Sequence, residues 1–185
     1  DAAMARITAT TDYAALASCD LIIEAATENL ELKLKILRQV DGLARPDAVI
    51  ASNTSSISIT TLASVVTRPA DFIGVHFFNP VPMMALVELV RGLQTSQGTV
   101  DLAIAFAQKL TKTPIVVKDS PGFVVNRILC PMLNEAVFAL QEGLATAEDI
   151  DNGMKLGCGH PIGPLALTDM IGLDVQLAVM NVLFD

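Results

Sequence analysis

This chain has two histidines, the residue type whose unperturbed charge changes near neutral pH, and they sit in unlike surroundings. His76 closes the apolar run Phe72-Ile73-Gly74-Val75-His76-Phe77, which reads as a strand. It therefore lies at a strand's carboxyl end, where open α/β sheets bind ligands. His160 stands beside Pro161 in a turn between helices. Glu88 interrupts another apolar run, Leu86-Val87-Glu88-Leu89-Val90. A charge there is costly unless it is paired. A carboxylate bonded to one imidazole nitrogen fixes the tautomer and makes the other nitrogen a better base. Glu88 is either that partner for His76 or an exposed residue on an edge strand. Ser55 belongs to the hydroxyl-rich loop Ser52-Asn53-Thr54-Ser55-Ser56, which reads as ligand hydrogen bonding or as plain turn chemistry. Asn126 is a polar residue in an apolar helical stretch, facing either a ligand or solvent. Ser55, His76 and an acid would also suit a hydrolase, but no Gly-x-Ser-x-Gly elbow is present.

Those residues need a scaffold. Residues 20–26 form a short apolar run that reads as a buried parallel strand. Leu30, Leu34 and Leu37 recur at helical spacing, and Pro46-Asp47 ends that segment. Further strands are predicted at 48–51, 71–77, 85–91 and 114–117, with helices at about 59–66 and 97–112. Strands alternating with helices argue for a mainly parallel sheet flanked by helices. After Pro121-Gly122 the pattern changes. Val124, Val125, Ile128, Leu129, Met132, Leu133 and Ala136 mark a long helix. Thr146, followed by acidic residues, resembles an N-cap. The last helical region starts near Pro164, is interrupted near Gly172, and runs to the end. The chain thus reads as the second part of an α/β domain over residues 1–119, then an all-α domain over residues 120–185.

Composition narrows the function. The chain has 185 residues, and 52% are apolar, enough to build a core. A net charge of -8 disfavours nucleic acid, whose binding rests on neutralising phosphates. No apolar run is long enough to span a bilayer. Cys19, Cys130 and Cys158 are odd in number and lack CxxC or zinc spacing. They read as free thiols of a cytoplasmic protein without a metal site.

Five segments, in order and with matching gaps, resemble the 3-hydroxyacyl-CoA dehydrogenase family, in particular the bacterial 3-hydroxybutyryl-CoA dehydrogenases. They are Ile22-Ile23-Glu24-Ala25-Ala26-Thr27-Glu28-Asn29, Ala51-Ser52-Asn53-Thr54-Ser55-Ser56, Gly74-Val75-His76-Phe77-Phe78-Asn79-Pro80-Val81-Pro82, Asp119-Ser120-Pro121-Gly122-Phe123-Val124-Val125-Asn126-Arg127 and Gly163-Pro164-Leu165. The resemblance covers essentially the whole chain. It implies a partial Rossmann-type NAD-binding domain followed by an all-α domain that completes the substrate site and dimerises. It implies His76 as catalytic base, Glu88 as its partner, and Ser55 and Asn126 as substrate-binding and catalytic groups. NAD contacts would fall on Glu28, Lys33, Ser55 and Asn79. The implied reaction interconverts (S)-3-hydroxyacyl-CoA and 3-oxoacyl-CoA, with short acyl chains, as in β-oxidation. The implied partners are an acyl-CoA and a second copy of the chain, with the site in the cleft between domains.

Two alternatives stand beside this. One is a β-hydroxyacid oxidoreductase acting on a non-CoA substrate; the other is an inactive helical dimer module. The Gly-x-Gly-x-x-Gly turn that grips a pyrophosphate is missing, as is the acidic residue expected on the ribose. The chain is therefore expected to be part of a longer protein, and these residues alone are expected to bind NAD weakly or not at all.

Overall fold

A computed structural model describes residues 4–184, and the ends of the chain lie outside the described residues. It divides into two compact units, the first ending at Asp119 and the second beginning at Ser120.

The first unit is a five-stranded sheet in the order β1 (Leu21–Glu24), β2 (Val49–Ser52), β3 (Phe72–Phe77), β4 (Leu86–Arg91) and β5 (Thr113–Lys118). The first three strands run parallel, β4 is antiparallel to β3, and β5 is parallel to β4. The helices α1 (Leu30–Asp41), α2 (Ile59–Ala63) and α3 (Gln97–Lys109) connect the parallel pairs. Each starts at a side-chain cap: Asn29, Ser58 and Ser96 accept N–H groups of the first turn. No helix separates β3 from β4, which is why that pair can be antiparallel.

Side chains alternate between sheet faces, so pairing fixes which residues meet. Val49, Ala51, Ile73, Val75, Val87 and Leu89 pack with Val100 and Ala103 of α3. The opposite face meets α2. There a Cβ on Gly74 would lie 2.8 Å from Ile59 and from Val90, so glycine is what lets α2 approach. In-register pairs put Glu24 beside Ser52, Ser52 beside Gly74 and His76 beside Glu88. All four polar side chains therefore share the α2 face, at the carboxyl edge of the parallel strands.

Several boundaries differ from the sequence reading, each for a local reason. The first strand stops at Glu24, because the Ala26 N–H turns back to bond the Glu24 carboxylate at 2.7 Å. α2 ends at Ala63 instead of Val66, and Ser64 Oγ bonds the Thr61 carbonyl at 2.7 Å. α3 ends at Lys109 instead of Lys112, since Thr111 adopts φ 59° and cannot continue the helix. β4 is interior, and Val87 to Val90 are all buried, so its partial alternation disappears. Two 3-10 turns, Met4–Arg6 and Tyr13–Ser18, precede β1.

The second unit has four helices among the described residues: α4 (Val125–Gln141), α5 (Ala147–Cys158), α6 (Pro164–Ile171) and α7 (Leu173–Phe184). Thr146 caps α5 by accepting the Asp149 N–H. Asp151 accepts the Leu165 and Ala166 N–H groups at the start of α6. Gly172, at φ 101°, separates α6 from α7. Cys130, Leu133 and Ala136 are buried, and burial pushes the Cys130 thiol up. Many apolar side chains of this unit are exposed, Leu144 and Leu156 among them. Among the described residues no single helix is long and apolar enough to cross a membrane. The α6–α7 pair has the length and composition only jointly, and it bends by 99°.

Candidate active site

The site grows from the register of two strands. Pairing His76 with Glu88 puts Nδ1 2.8 Å from Glu88 Oε2. The histidine is 4% exposed and the glutamate 0%. Glu88 on an exposed edge strand is thereby ruled out: β4 lies between β3 and β5. A carboxylate at Nδ1 favours the tautomer with the proton on Nδ1, in which Nε2 is the accepting nitrogen. Nε2 lies 3.1 Å from Ser55 Oγ. The Phe78 ring, 4.5 Å away between centroids and tilted by 52°, packs on the imidazole.

The Ser55 loop is fixed from three sides. Asn53 Oδ1 accepts the Phe77 N–H at 2.9 Å, which joins the loop to the residue after His76. The Glu28 carboxylate accepts Thr54 Oγ1–H at 2.7 Å and the Ser55 N–H at 2.9 Å. Beyond the loop, Asp119 accepts Ser58 Oγ–H and the N–H groups of Ile59 and Thr60, at 2.8 to 3.0 Å.

These bonds bear on the hydrolase alternative, because Ser55, His76 and Glu88 do lie in hydrogen-bonded sequence. Acyl transfer needs N–H groups aimed at a developing oxyanion. The Asn53 N–H bonds the Glu24 carbonyl and the Thr54 N–H reaches Ser52 Oγ. The Ser55 N–H bonds Glu28, and those of Ser56 and Ile57 bond Thr54 Oγ1. Every amide from 53 to 57 has a partner, so this loop offers no oxyanion hole. The arrangement suits proton transfer at Nε2, with the Ser55 hydroxyl as a hydrogen-bonding neighbour.

The remaining predicted residues are placed less uniformly. Glu28 is exposed but both its oxygens hold the Ser55 loop. Asn79 is exposed, on the cis Asn79–Pro80 peptide after β3. Lys33 is 1% exposed, and its Nζ lies 2.6 Å from Glu24 Oε2. Asn126 is half-buried in the first turn of α4, in the second unit. A cavity of about 220 Å³ is lined by Ala25, Ala26, Thr27, Glu28, Lys33 and Asn53. Its lining includes a lysine, a carboxylate and a side-chain amide. Glu24 and Asp119 were not singled out by sequence as site residues. For Glu24 the signal existed: it ends an apolar strand, as conspicuous as Glu88.

Comparison with known proteins gives a consistent result. Residues 1–120 match the family model described as 3-hydroxyacyl-CoA dehydrogenase, NAD binding domain, and residues 122–185 match its C-terminal domain. A 3-hydroxybutyryl-CoA dehydrogenase of Clostridioides difficile is 51% identical over 98% of this chain and 64% of its own length. A mitochondrial hydroxyacyl-coenzyme A dehydrogenase of Sus scrofa is 47% identical over 96% of this chain and 57% of its length. The crystal structure of (S)-3-hydroxybutyryl-CoA dehydrogenase from Ralstonia eutropha superposes with a TM-score of 0.97 at 65% identity, covering 98% of this chain and 64% of that one. The chain thus spans less than two thirds of the length of these relatives.

Proposed function

The chain belongs to the 3-hydroxyacyl-CoA dehydrogenase family, and from that premise we propose that the protein interconverts (S)-3-hydroxyacyl-CoA and 3-oxoacyl-CoA with NAD, on short acyl chains such as 3-hydroxybutyryl. The observation that carries the reading is the hydrogen-bonded line Ser55–His76–Glu88 at the carboxyl edge of the sheet.

In the oxidative direction His76 Nε2 takes the proton of the 3-hydroxyl. Glu88 holds the tautomer in which Nε2 can do so and then stabilises the imidazolium. Such general base catalysis is typically worth about 10²–10⁴ in rate. NAD, when bound, supplies the hydride acceptor. Glu28, Lys33 and Asn79, with Ser55 near the nicotinamide, would hold it. Ser55 Oγ fixes the substrate oxygen beside Nε2, the kind of positioning that lowers the entropic barrier. Asn126 is assigned a second substrate hydrogen bond on the family resemblance. The reading extends to a homodimer formed through the helical unit, supported by that unit's exposed apolar side chains. A cytoplasmic setting is supported by the three free cysteines.

The test is acetoacetyl-CoA-dependent oxidation of NADH by the full-length protein, with free acetoacetate as the non-CoA control. The expected outcome is turnover with the thioester, little with the free acid, and none after His76→Ala. Near-normal turnover by that variant would overturn His76 as the base.

A further inference from the structure

One buried charged cluster contains a carboxylate and a hydroxyl that the mechanism leaves unused. Glu24, Lys33 and Ser52 are 5%, 1% and 0% exposed. Lys33 Nζ lies 2.6 Å from Glu24 Oε2, Ser52 Oγ–H donates to the same oxygen at 2.9 Å, and the other carboxylate oxygen accepts the Ala26 N–H at 2.7 Å. Burial by itself would raise the Glu24 carboxyl. The Lys33 bond, the Ala26 and Ser52 bonds and the Lys33 charge outweigh it and hold the group below its ordinary value.

A buried ion pair is a poor device for stability alone, since apolar residues of similar volume often serve as well. Its geometry suggests another use. Lysine carries its charge on a flexible four-carbon stem. Here that charge is pinned at the wall of the 220 Å³ cavity that also exposes Glu28 and Asn53. Ser52 Oγ, which holds the carboxylate, also accepts the Thr54 N–H at 3.4 Å, one residue before Ser55. One carboxylate therefore sets the place of a cationic cavity wall and braces the loop that carries the substrate-side serine.

We propose that Glu24 is a positioning residue for cofactor binding, acting through Lys33. The proposal rests on the reading that Lys33 contacts NAD. It is tested by titrating NADH fluorescence on the full-length protein in a four-member cycle: wild type, Glu24→Gln, Lys33→Met and the double variant. A charged hydrogen bond of this kind is worth about tenfold or more in affinity. Glu24→Gln and Lys33→Met should each weaken NADH binding by about tenfold, and the double variant should be no more than about twofold weaker than Lys33→Met. A role confined to folding would lower the number of binding sites and leave Kd unchanged. Glu24→Gln with wild-type Kd, or two losses that multiply, overturns the proposal. Wild-type affinity in Lys33→Met does the same and leaves the dehydrogenase reading standing, whereas a wild type that binds no NADH removes both. Should Glu24→Gln fail to fold, Glu24→Asp, which withdraws the carboxylate by one methylene, is titrated instead. Weaker binding is expected, and unchanged binding overturns.

Discussion

Two carboxylates end up buried on the same face of one sheet, and they do opposite things. Glu88 meets His76 across an antiparallel pair and leaves Nε2 of the ring turned toward Ser55. Glu24 meets an ammonium that rises from α1, and the pair is shut away from solvent with Ser52. The first pair holds an imidazole, a side chain able to take and give a proton; the second holds an ammonium in place. Burial and pairing are common to both, so neither marks a catalytic group. What separates them is the partner: an imidazole whose second nitrogen reaches Ser55, against an ammonium at the wall of a cavity.

Substitutions can sharpen that contrast. The largest effect expected is on rate. Glu88→Gln can donate to Nδ1 and so favours the wrong tautomer, which should lower kcat by roughly 10²–10⁴ while the fold melts within a few degrees of wild type. A thermal scan beside the turnover assay reads both, and a large loss of Tm with kcat intact would reverse the assignment of roles.

Glu24→Gln should act the other way. Leaving the buried Lys33 ammonium uncompensated costs about 3 kcal/mol of stability at neutral pH. The loss should depend on pH with a defined sign. The folded carboxyl titrates below its unfolded value, so its contribution is complete above the unfolded pKa and disappears as pH falls through the folded one. Melting temperatures of wild type and variant should therefore differ most near neutral pH and converge as the pH falls below the ordinary carboxylate range. A gap that widens in acid would contradict the pairing.

The smallest effect is expected at the surface. Asp47 is held at about 2 by Arg45, through a hydrogen bond first and then charge, yet the Asp47 side chain is exposed and that of Arg45 partly so. Asp47→Asn should leave Tm and turnover unchanged, because exposed pairs contribute little. A measurable drop would mean that burial is not what distinguishes the Glu24 pair.

Much of this was legible in local sequence. Apolar runs located β1 to β5, Thr146 stands where a helix begins, and Gly172 marks the break in the last helical stretch. The spacing of five short segments pointed to the family, and with it to His76, Glu88 and Ser55. Less legible was the setting of Lys33: expected at the cofactor, it lies buried against Glu24, a pairing no local pattern signals. Glu28, expected at the cofactor, uses both carboxylate oxygens on Thr54 and Ser55.

The sequence by itself determined which residues form strands and helices, because that choice rests on side-chain period, capping and turn chemistry within a few positions. It also determined which residue types were present to do chemistry. Only the tertiary structure decided that β4 runs antiparallel to β3, that His76 lies opposite Glu88, and that Glu24 and Ser52 converge on Lys33. Those contacts join residues 9 to 28 positions apart. Strand pairing and register arise from packing of the whole sheet, and a shift of one residue would turn each of these side chains to the other face.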